Sequence, residues 1–185
     1  MYWVVFSDLD GTLWDHMDIS SLTPPFKRID RGTIIDSRGV RVRVYDEMIH
    51  LLIAVKECGA IVSSLSWNNP RIALEAINTL GLDYLFDYHL IANHPFKYIL
   101  ALQLLDVLKT RYYVEPELVV YLDDRDIHLS EMRSFISNLL YLRPWLEFRT
   151  HTDALQAISV SALPTVKSCL LENKQNRHRK ELALN

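Results

Sequence analysis

Two aspartates near the start of the chain have the spacing and the setting of a metal or phosphate site. Asp8 and Asp10 follow residues 2–7, whose aromatic and β-branched side chains predict a buried strand. Gly11 and Thr12 come next, a pair typical of a turn. Carboxylates at the carboxyl end of a parallel strand lie where open α/β sheets bind ligands, and their oxygens suit Mg²⁺. Because an isolated Asp-x-Asp is more simply two solvated carboxylates in a turn, the rest of the chain must decide.

Further polar side chains lie at or just beyond the ends of later predicted strands. Ser66 follows the second strand, and Lys97 begins the helix after the third. Asp123 and Asp124 follow the fourth strand, and Asn68 is either a phosphate ligand or an ordinary turn residue. We prefer Ser66 to the serines before it, because only Ser66 follows a complete apolar strand. The carboxyl ends of parallel strands meet at one edge of a sheet, so we expect these groups to lie close to the first two aspartates.

The elements that must position these side chains alternate between strand and helix. This order predicts an α/β fold, a Rossmann-like doubly wound parallel sheet of about five strands with helices on both faces. The predicted strands are residues 2–7, 60–65, 84–92, 118–122 and 139–142. The predicted helices are residues 45–58, 70–80, 96–109 and a segment that ends near residue 137. Asp46 and Asn69 are the expected caps of the first two helices, and Gly81 is the expected end of the second.

A β-hairpin is predicted between the first strand and the first helix. Alternating apolar and polar residues at 32–36 and 40–44 flank a turn that contains Gly39, whereas residues 14–31 predict a loop. We call the hairpin, at about residues 31–44, the flap, and we expect it to overhang the site. Arg41 and Arg43 share one face of its second strand, where they meet either an anionic substrate or, more simply, solvent.

Length and composition limit the remaining possibilities. A chain of 185 residues with 49% hydrophobic content forms one domain with a sizeable core. We expect a core at residues 1–150 and a helical extension of the same domain at 151–185, with a break near Pro164. The net charge of −3 gives no indication of a nucleic acid partner.

The same reasoning addresses the membrane and the cellular compartment. No apolar stretch approaches the roughly 18 residues of a spanning helix, so no membrane partner is expected. Asp8 interrupts the first apolar run, which argues against a signal peptide. The two cysteines, Cys58 and Cys169, form no pattern typical of a disulfide framework or a metal site. We therefore expect a cytoplasmic protein.

The ordered set of motifs resembles the haloacid dehalogenase (HAD) superfamily, which has Asp-x-Asp, then Ser or Thr, then Lys, then an acidic pair. Within the superfamily the chain is similar to the small, capless magnesium-dependent phosphatases. Their Asp-x-Asp-x-Thr-Leu-Trp is matched from Asp8 to Trp14, and their Pro-Pro-Phe by residues 24–26. Two positions depart from that pattern: Gly11 stands where a Tyr is usual, and residues 66–68 read Ser-Trp-Asn where Ser-Arg-Thr is usual.

The resemblance implies a role for each acidic residue. Asp8 would attack phosphorus to form an aspartyl-phosphate, and Asp10 would be the general acid and base. Mg²⁺ would be the cofactor, held by Asp8, by Asp10 through its backbone carbonyl, and by Asp123. Asp124 would lie in the outer shell, where it bridges metal waters or pairs with Lys97.

The phosphoryl group would be held by Ser66, Asn68 and Lys97, which would also stabilise the transition state. The resulting activity is hydrolysis of phosphomonoesters, with either a small phosphorylated metabolite or a phosphotyrosine-type protein as substrate. The gaps between motifs are too short for a cap domain, so we expect an open site. The alternatives are a receiver-like domain or a catalytically silent phospho-ligand-binding protein on the same scaffold.

Overall fold

The described part of the chain forms two sheets and five α-helices. The computed structural model describes residues 2–162, 164 and 166–173. Its strands are β1 (Trp3–Ser7), β2 (Lys27–Arg28), β3 (Thr33–Ile35), β4 (Arg41–Arg43), β5 (Ala60–Trp67), β6 (Tyr88–Ala92), β7 (Val119–Leu122) and β8 (Leu139–Leu142). Its helices are α1 (Asp46–Glu57), α2 (Pro70–Leu80), α3 (Lys97–Tyr112), α4 (Leu129–Phe135) and α5 (His151–Ser161).

The larger sheet confirms the predicted fold class. Its five strands are all parallel, in the order β6-β5-β1-β7-β8. Val4 and Phe6 of β1 pack with α3 and α4, whereas Trp3 and Val5 pack with α1, α2 and α5. Helices therefore cover both faces of the sheet, which explains why its strands read as continuous apolar runs.

The smaller sheet is the flap, and it contains one more strand than predicted. β3 and β4 form the expected antiparallel hairpin, and β2 pairs with β3 from within the predicted loop. A two-residue strand is too short to produce an alternating pattern, so no sequence signal marks β2. Asp36 fixes the hairpin turn, because its carboxylate accepts hydrogen bonds from the backbone N–H groups of Thr23 (3.0 Å), Arg38 (2.9 Å) and Val40 (2.8 Å).

The predicted cap residues are confirmed at α2, but the predicted N-cap of α1 is not. The Asn69 side chain accepts hydrogen bonds from the second and third residues of the α2 segment, and Pro70 is the first helical residue. Gly81 ends α2 in the left-handed conformation, with φ of 71°. The prediction that Asp46 caps α1 is wrong, because Tyr45 takes that position and makes no side-chain capping bond.

The structure overturns the interpretation of the cysteines. Cys58, at the end of α1, and Cys169 form a disulfide that spans 111 residues of sequence. A single pair this far apart has no characteristic spacing, and only the tertiary fold brings the two thiols together. The cysteines therefore give no support to a reducing compartment, and cytoplasmic localisation remains a prediction.

The C-terminal segment is only partly described. α5 ends at Ser161, close to the break predicted at Pro164, and residues 174–185 of the predicted extension lie outside the described residues. In the part of the chain that is described, no helix combines the length and the apolar character needed to cross a membrane.

Candidate active site

The site lies at the carboxyl edge of the parallel sheet, between its two central strands. Asp8 comes directly after β1, and its backbone N–H donates to Leu122 O of β7 at 2.8 Å. Asp123 comes directly after β7, and Lys97 is the first residue of α3. The three predicted side chains are almost fully enclosed, with exposed fractions of 1% for Asp8, 0% for Asp123 and 1% for Lys97.

Lys97 joins the two central carboxylates. Its Nζ lies 2.9 Å from Asp8 Oδ1 and 2.7 Å from Asp123 Oδ2. The contact with Asp8 is an ion pair without hydrogen-bond geometry, whereas the contact with Asp123 is also a hydrogen bond. Asp123 further accepts hydrogen bonds from the Tyr121 hydroxyl and from the Arg125 backbone N–H. Asp8 Oδ2 has no hydrogen-bond partner among the described residues, so it is the oxygen that is left to react or to bind.

Burial and charge determine the protonation of this group. Burial raises the pKa of Asp8 to about 7, while the Lys97 ammonium opposes the rise. Burial alone would lower the pKa of Lys97, but the carboxylates of Asp8 and Asp123 outweigh it and raise the pKa. Burial and then the charge of Asp123 raise the pKa of Tyr121 well above 10, so its phenol remains a hydrogen-bond donor.

Asp10 is held apart from these charges by hydrogen bonds. Its Oδ1 accepts from Trp14 Nε1 at 2.7 Å and from the Ile19 N–H at 3.1 Å. Its Oδ2 accepts from Asn68 Nδ2 at 2.8 Å, and the same amide donates to Ser66 Oγ at 2.8 Å. Burial raises the pKa of Asp10, although the bonds from Trp14 and Asn68 act in the opposite direction. The structure thus brings together three residues that the sequence placed in separate roles.

The carboxylates of Asp8, Asp123 and Asp124 form a group of possible metal ligands. One oxygen from each lies within 4.8 Å of the others, and oxygen donors suit a hard cation such as Mg²⁺. The Asp10 carboxylate is outside this group. Asp124 accepts a bond of 3.3 Å from Thr12 Oγ1 and is half-buried. Lys97 pairs with Asp8 and Asp123, so the suggested pair between Lys97 and Asp124 is wrong.

Several contributors were not predicted from the sequence. Tyr121 was assigned to an apolar strand, although a buried hydroxyl requires a partner and lies on the same strand face as Asp123, two residues on. Trp14 enters the sequence analysis only as the last residue of the matched motif, and its hydrogen bond to Asp10 is not predicted. Gly11 has φ of 67°, and a Cβ there would lie 2.8 Å from Asp124 Oδ2. The chain's departure from the usual Tyr therefore coincides with the close approach of an acidic side chain.

The site opens into a cavity of about 380 Å³. It is lined by Asp10, Met17, Asp18, Ser20, Trp67, Asn68, Asn69, Asn93 and Arg125. The loop before the flap, rather than the flap strands, contributes to this lining, so the expectation that the hairpin overhangs the site is not met. Met17 and Trp67 are 56% and 48% exposed, and they give the opening an apolar component.

Fold and site together define a doubly wound α/β protein with a buried acidic site at the strand ends. A family model described as Acid Phosphatase matches residues 1–132. The chain therefore belongs to the acid phosphatase family, which is HAD-like and capless, and the resemblance drawn from the motifs is confirmed. No curated protein matches the chain.

One solved structure that matches part of this chain is described as a dehalogenase. It is 21% identical, the match covers 55% of this chain and 44% of that chain, and the TM-score is 0.43. The match thus spans less than half of the dehalogenase's length.

Proposed function

We propose that this phosphatase hydrolyses phosphomonoesters in a Mg²⁺-dependent reaction through an aspartyl-phosphate on Asp8. The observation that carries the proposal is the setting of Asp8. Its carboxylate is buried at a strand end, Oδ1 is paired with Lys97, and Oδ2 has no hydrogen-bond partner among the described residues. A buried polar atom in that state is unusual unless it serves a ligand or a reaction.

The acidic group fits Mg²⁺ as the cofactor. Asp8, Asp123 and Asp124 offer only oxygen atoms, and Asp8 would bind the ion through one carboxylate oxygen while the other attacks phosphorus. Asp10 would contribute its backbone carbonyl, as the resemblance implies. When bound, the ion supplies charge neutralisation and orientation of the substrate phosphate.

The side chains then perform two displacements at phosphorus. Asp8 Oδ2 forms a bond to phosphorus as the bond to the leaving oxygen breaks, and Asp10 gives its proton to that oxygen. Water then attacks the aspartyl-phosphate, Asp10 takes a proton from it, and Asp8 is released with inorganic phosphate. The raised pKa of Asp10 supports this role, because burial lets its carboxyl hold a proton at a higher pH than an ordinary aspartate does.

The phosphoryl oxygens would be held by Ser66 and Lys97, and by Asn68 once one of its two N–H groups, which donate to Asp10 and Ser66, turns to the phosphate. The Lys97 ammonium already faces Asp8, so it lies beside the oxygen that would attack. Asn68 connects Asp10 to Ser66 through its amide group. It would thereby fix the position of the Asp10 carboxyl relative to the Ser66 hydroxyl.

Asp8→Asn tests the nucleophile. Asparagine keeps the shape of the side chain but is not an anionic nucleophile, so kcat with an aryl phosphate should fall by roughly 10⁴-fold or more. The variant should melt cooperatively, and Asp106→Asn, at an exposed position on α3, should retain full activity. Turnover retained by Asp8→Asn would overturn the mechanism. Tight phosphate binding without turnover by the wild-type chain would favour the silent phospho-ligand-binding alternative.

Metal removal tests the cofactor. Excess EDTA should abolish turnover and Mg²⁺ should restore it. Ca²⁺ should restore it poorly, because its looser coordination leaves the reacting groups less well placed. Full activity in excess EDTA would contradict the metal assignment.

We propose a small phosphorylated metabolite as the substrate, with a phosphotyrosine-type protein as the alternative. The opening combines the exposed Trp67 with the polar side chains of Asn69, Asn93 and Arg125, a lining that suits a compact leaving group with polar substituents. A panel of sugar phosphates, phosphoglycolate and phosphotyrosyl peptides, compared by kcat/KM, decides between them. The highest value for the peptides would contradict the metabolite assignment. Trp67→Ala should raise KM while it changes kcat little, because the indole lines the opening but takes no part in the proposed attack or proton transfer.

A further inference from the structure

A second cluster of ligand-type side chains lies between α1 and α5, away from the acidic site. Glu47 and His50 are three residues apart on α1, so they share one face of the helix. His151 is the first residue of α5. Each of the three offers one ligand atom, and these atoms all lie within 4.8 Å of one another. The cluster is therefore compact enough to surround a single ion.

The buried histidine gives a second, independent indication of a ligand. His151 is 2% exposed. Its Nδ1 lies 2.7 Å from Glu47 Oε2, and its backbone N–H donates to the same oxygen at 2.6 Å. Its Nε2 is buried and has no hydrogen-bond partner among the described residues. A buried ring nitrogen without a partner is destabilising unless something binds it.

The chemistry of the donors indicates which ion would bind. Two imidazoles and one carboxylate form a donor set that Zn²⁺ uses in proteins, with water in the fourth position. A Glu-x-x-His pair on one helix, as at Glu47 and His50, is also a known source of inward-facing metal ligands in helical bundles. Imidazole nitrogen favours Zn²⁺ and its transition-metal neighbours over Mg²⁺.

We propose that Glu47, His50 and His151 bind one Zn²⁺-class ion, at a site separate from the proposed catalytic Mg²⁺. The Glu47–His151 contact already joins the first turns of α1 and α5, and the ion would add a stronger connection between the two helices. His50 also lines a cavity of about 720 Å³, together with Asp46 and Arg43, which gives the ion and its water a route from solvent. No residue of the acidic group contributes to this site, so the two ions would bind independently.

The test is Zn²⁺ binding by the full chain, stripped with EDTA and then kept in excess Mg²⁺ so that the carboxylate site is occupied. Titration calorimetry should show one Zn²⁺ per chain, with a rise in Tm. Co²⁺ in place of Zn²⁺ should give visible absorption bands typical of four-coordinate nitrogen and oxygen ligation. His50→Ala should weaken binding by more than the roughly 10–100-fold that loss of an outer-shell partner produces. Asp8→Asn and His89→Ala, which lie outside the cluster, should bind Zn²⁺ as the wild-type chain does.

His151 is buried, so its replacement can unfold the chain. The decisive comparison is therefore of Zn²⁺ affinity between the wild-type chain and variants of the half-buried His50. His50→Gln provides a second variant that keeps polarity and approximate size. The proposal is overturned if the wild-type chain binds no stoichiometric Zn²⁺ in excess Mg²⁺. It is equally overturned if folded His50→Ala and His50→Gln bind as tightly as the wild-type chain, or if Asp8→Asn abolishes binding.

Discussion

Lys97 sets the charge balance of the proposed active site. One ammonium lies between the carboxylates of Asp8 and Asp123 and is shielded from water on all sides. Removal of one partner from a buried ionic group leaves the remaining charges without compensation, which is far more destabilising than the loss of an exposed pair. The residue thus has a structural role that is measurable without any substrate.

Lys97→Met should therefore lower the free energy of unfolding by roughly 3–5 kcal/mol in metal-free buffer. Guanidinium unfolding of the EDTA-treated variant provides the measurement. The matched control is Lys109→Met, which removes an exposed lysine paired with Glu115 on the surface and should leave the midpoint unchanged. Part of the loss should be recovered on addition of Mg²⁺, because the cation restores positive charge beside the two carboxylates. Equal midpoints for the two variants would contradict the charge argument.

Among single residues, the sequence predicted those whose role follows from a position at a strand end. It missed those whose role depends on a tertiary hydrogen bond. Asp8, Lys97 and Asp123 could be found because strand ends are visible as the end of an apolar run. The support from Tyr121 and Trp14 could not, because an aromatic residue in a hydrophobic stretch reads as packing until its polar atom is seen to meet a carboxylate. The disposition of Asp10 toward Asn68 likewise depends on the loop geometry after β5.

Among the elements, the flap depends on one carboxylate. Asp36 receives three backbone N–H groups at the hairpin turn, and these hydrogen bonds, led by that from Thr23, hold its pKa below the ordinary value of 3.8. Since the pKa is lower in the folded state, the carboxylate stabilises the turn at pH values above about 3.8. That stabilisation is lost as the pH falls through the folded-state pKa.

We expect acidification below about pH 3.8 to loosen the turn before the main sheet. Hydrogen exchange of the Arg38 and Val40 amides, followed from pH 6 downward and corrected for intrinsic rates, would reveal it. Asp36→Ala should show the loosened pattern at every pH, while Asp106→Asn on α3 should behave as the wild-type chain. Protection that is independent of pH in the wild-type chain would show that the turn does not depend on this carboxylate.

The sequence predicted long elements better than short ones. The three inner parallel strands, β5, β1 and β7, were visible because they are buried on both faces. α2 was visible because Asn69, Pro70 and Gly81 mark its ends. β2 and the short α4 were poorly predicted, because two or seven residues cannot establish a period. α1 lacked its expected cap, since Asp46 lies inside the helix and the fold supplies the preceding turn through Tyr45.

For the whole molecule, the disulfide is the main constraint that composition did not indicate. Cys58 and Cys169 close a loop of more than one hundred residues, which restricts the unfolded chain. Cys169→Ser should lower the free energy of unfolding by roughly 2–5 kcal/mol. Guanidinium unfolding without reductant is the measurement. Reductant should destabilise the wild-type chain to the level of the variant and leave the variant unchanged. Equal stability of the oxidised wild-type chain and Cys169→Ser would contradict a stabilising bridge.

The proposed active-site residues are divided between the ring that the disulfide closes and the segment of chain before that ring. The closed ring from residue 58 to residue 169 contains β5 to β8 with Ser66, Lys97 and Asp123, whereas β1 and Asp8 lie on the segment before it. Within the sheet, β5 and β7 pair with β1 and not with each other. The ring alone would therefore hold two separate half-sheets and no attacking group. A cut at the exposed turn of residues 37–39 would yield two fragments that are each inert, and turnover by their mixture would report that they had reassociated.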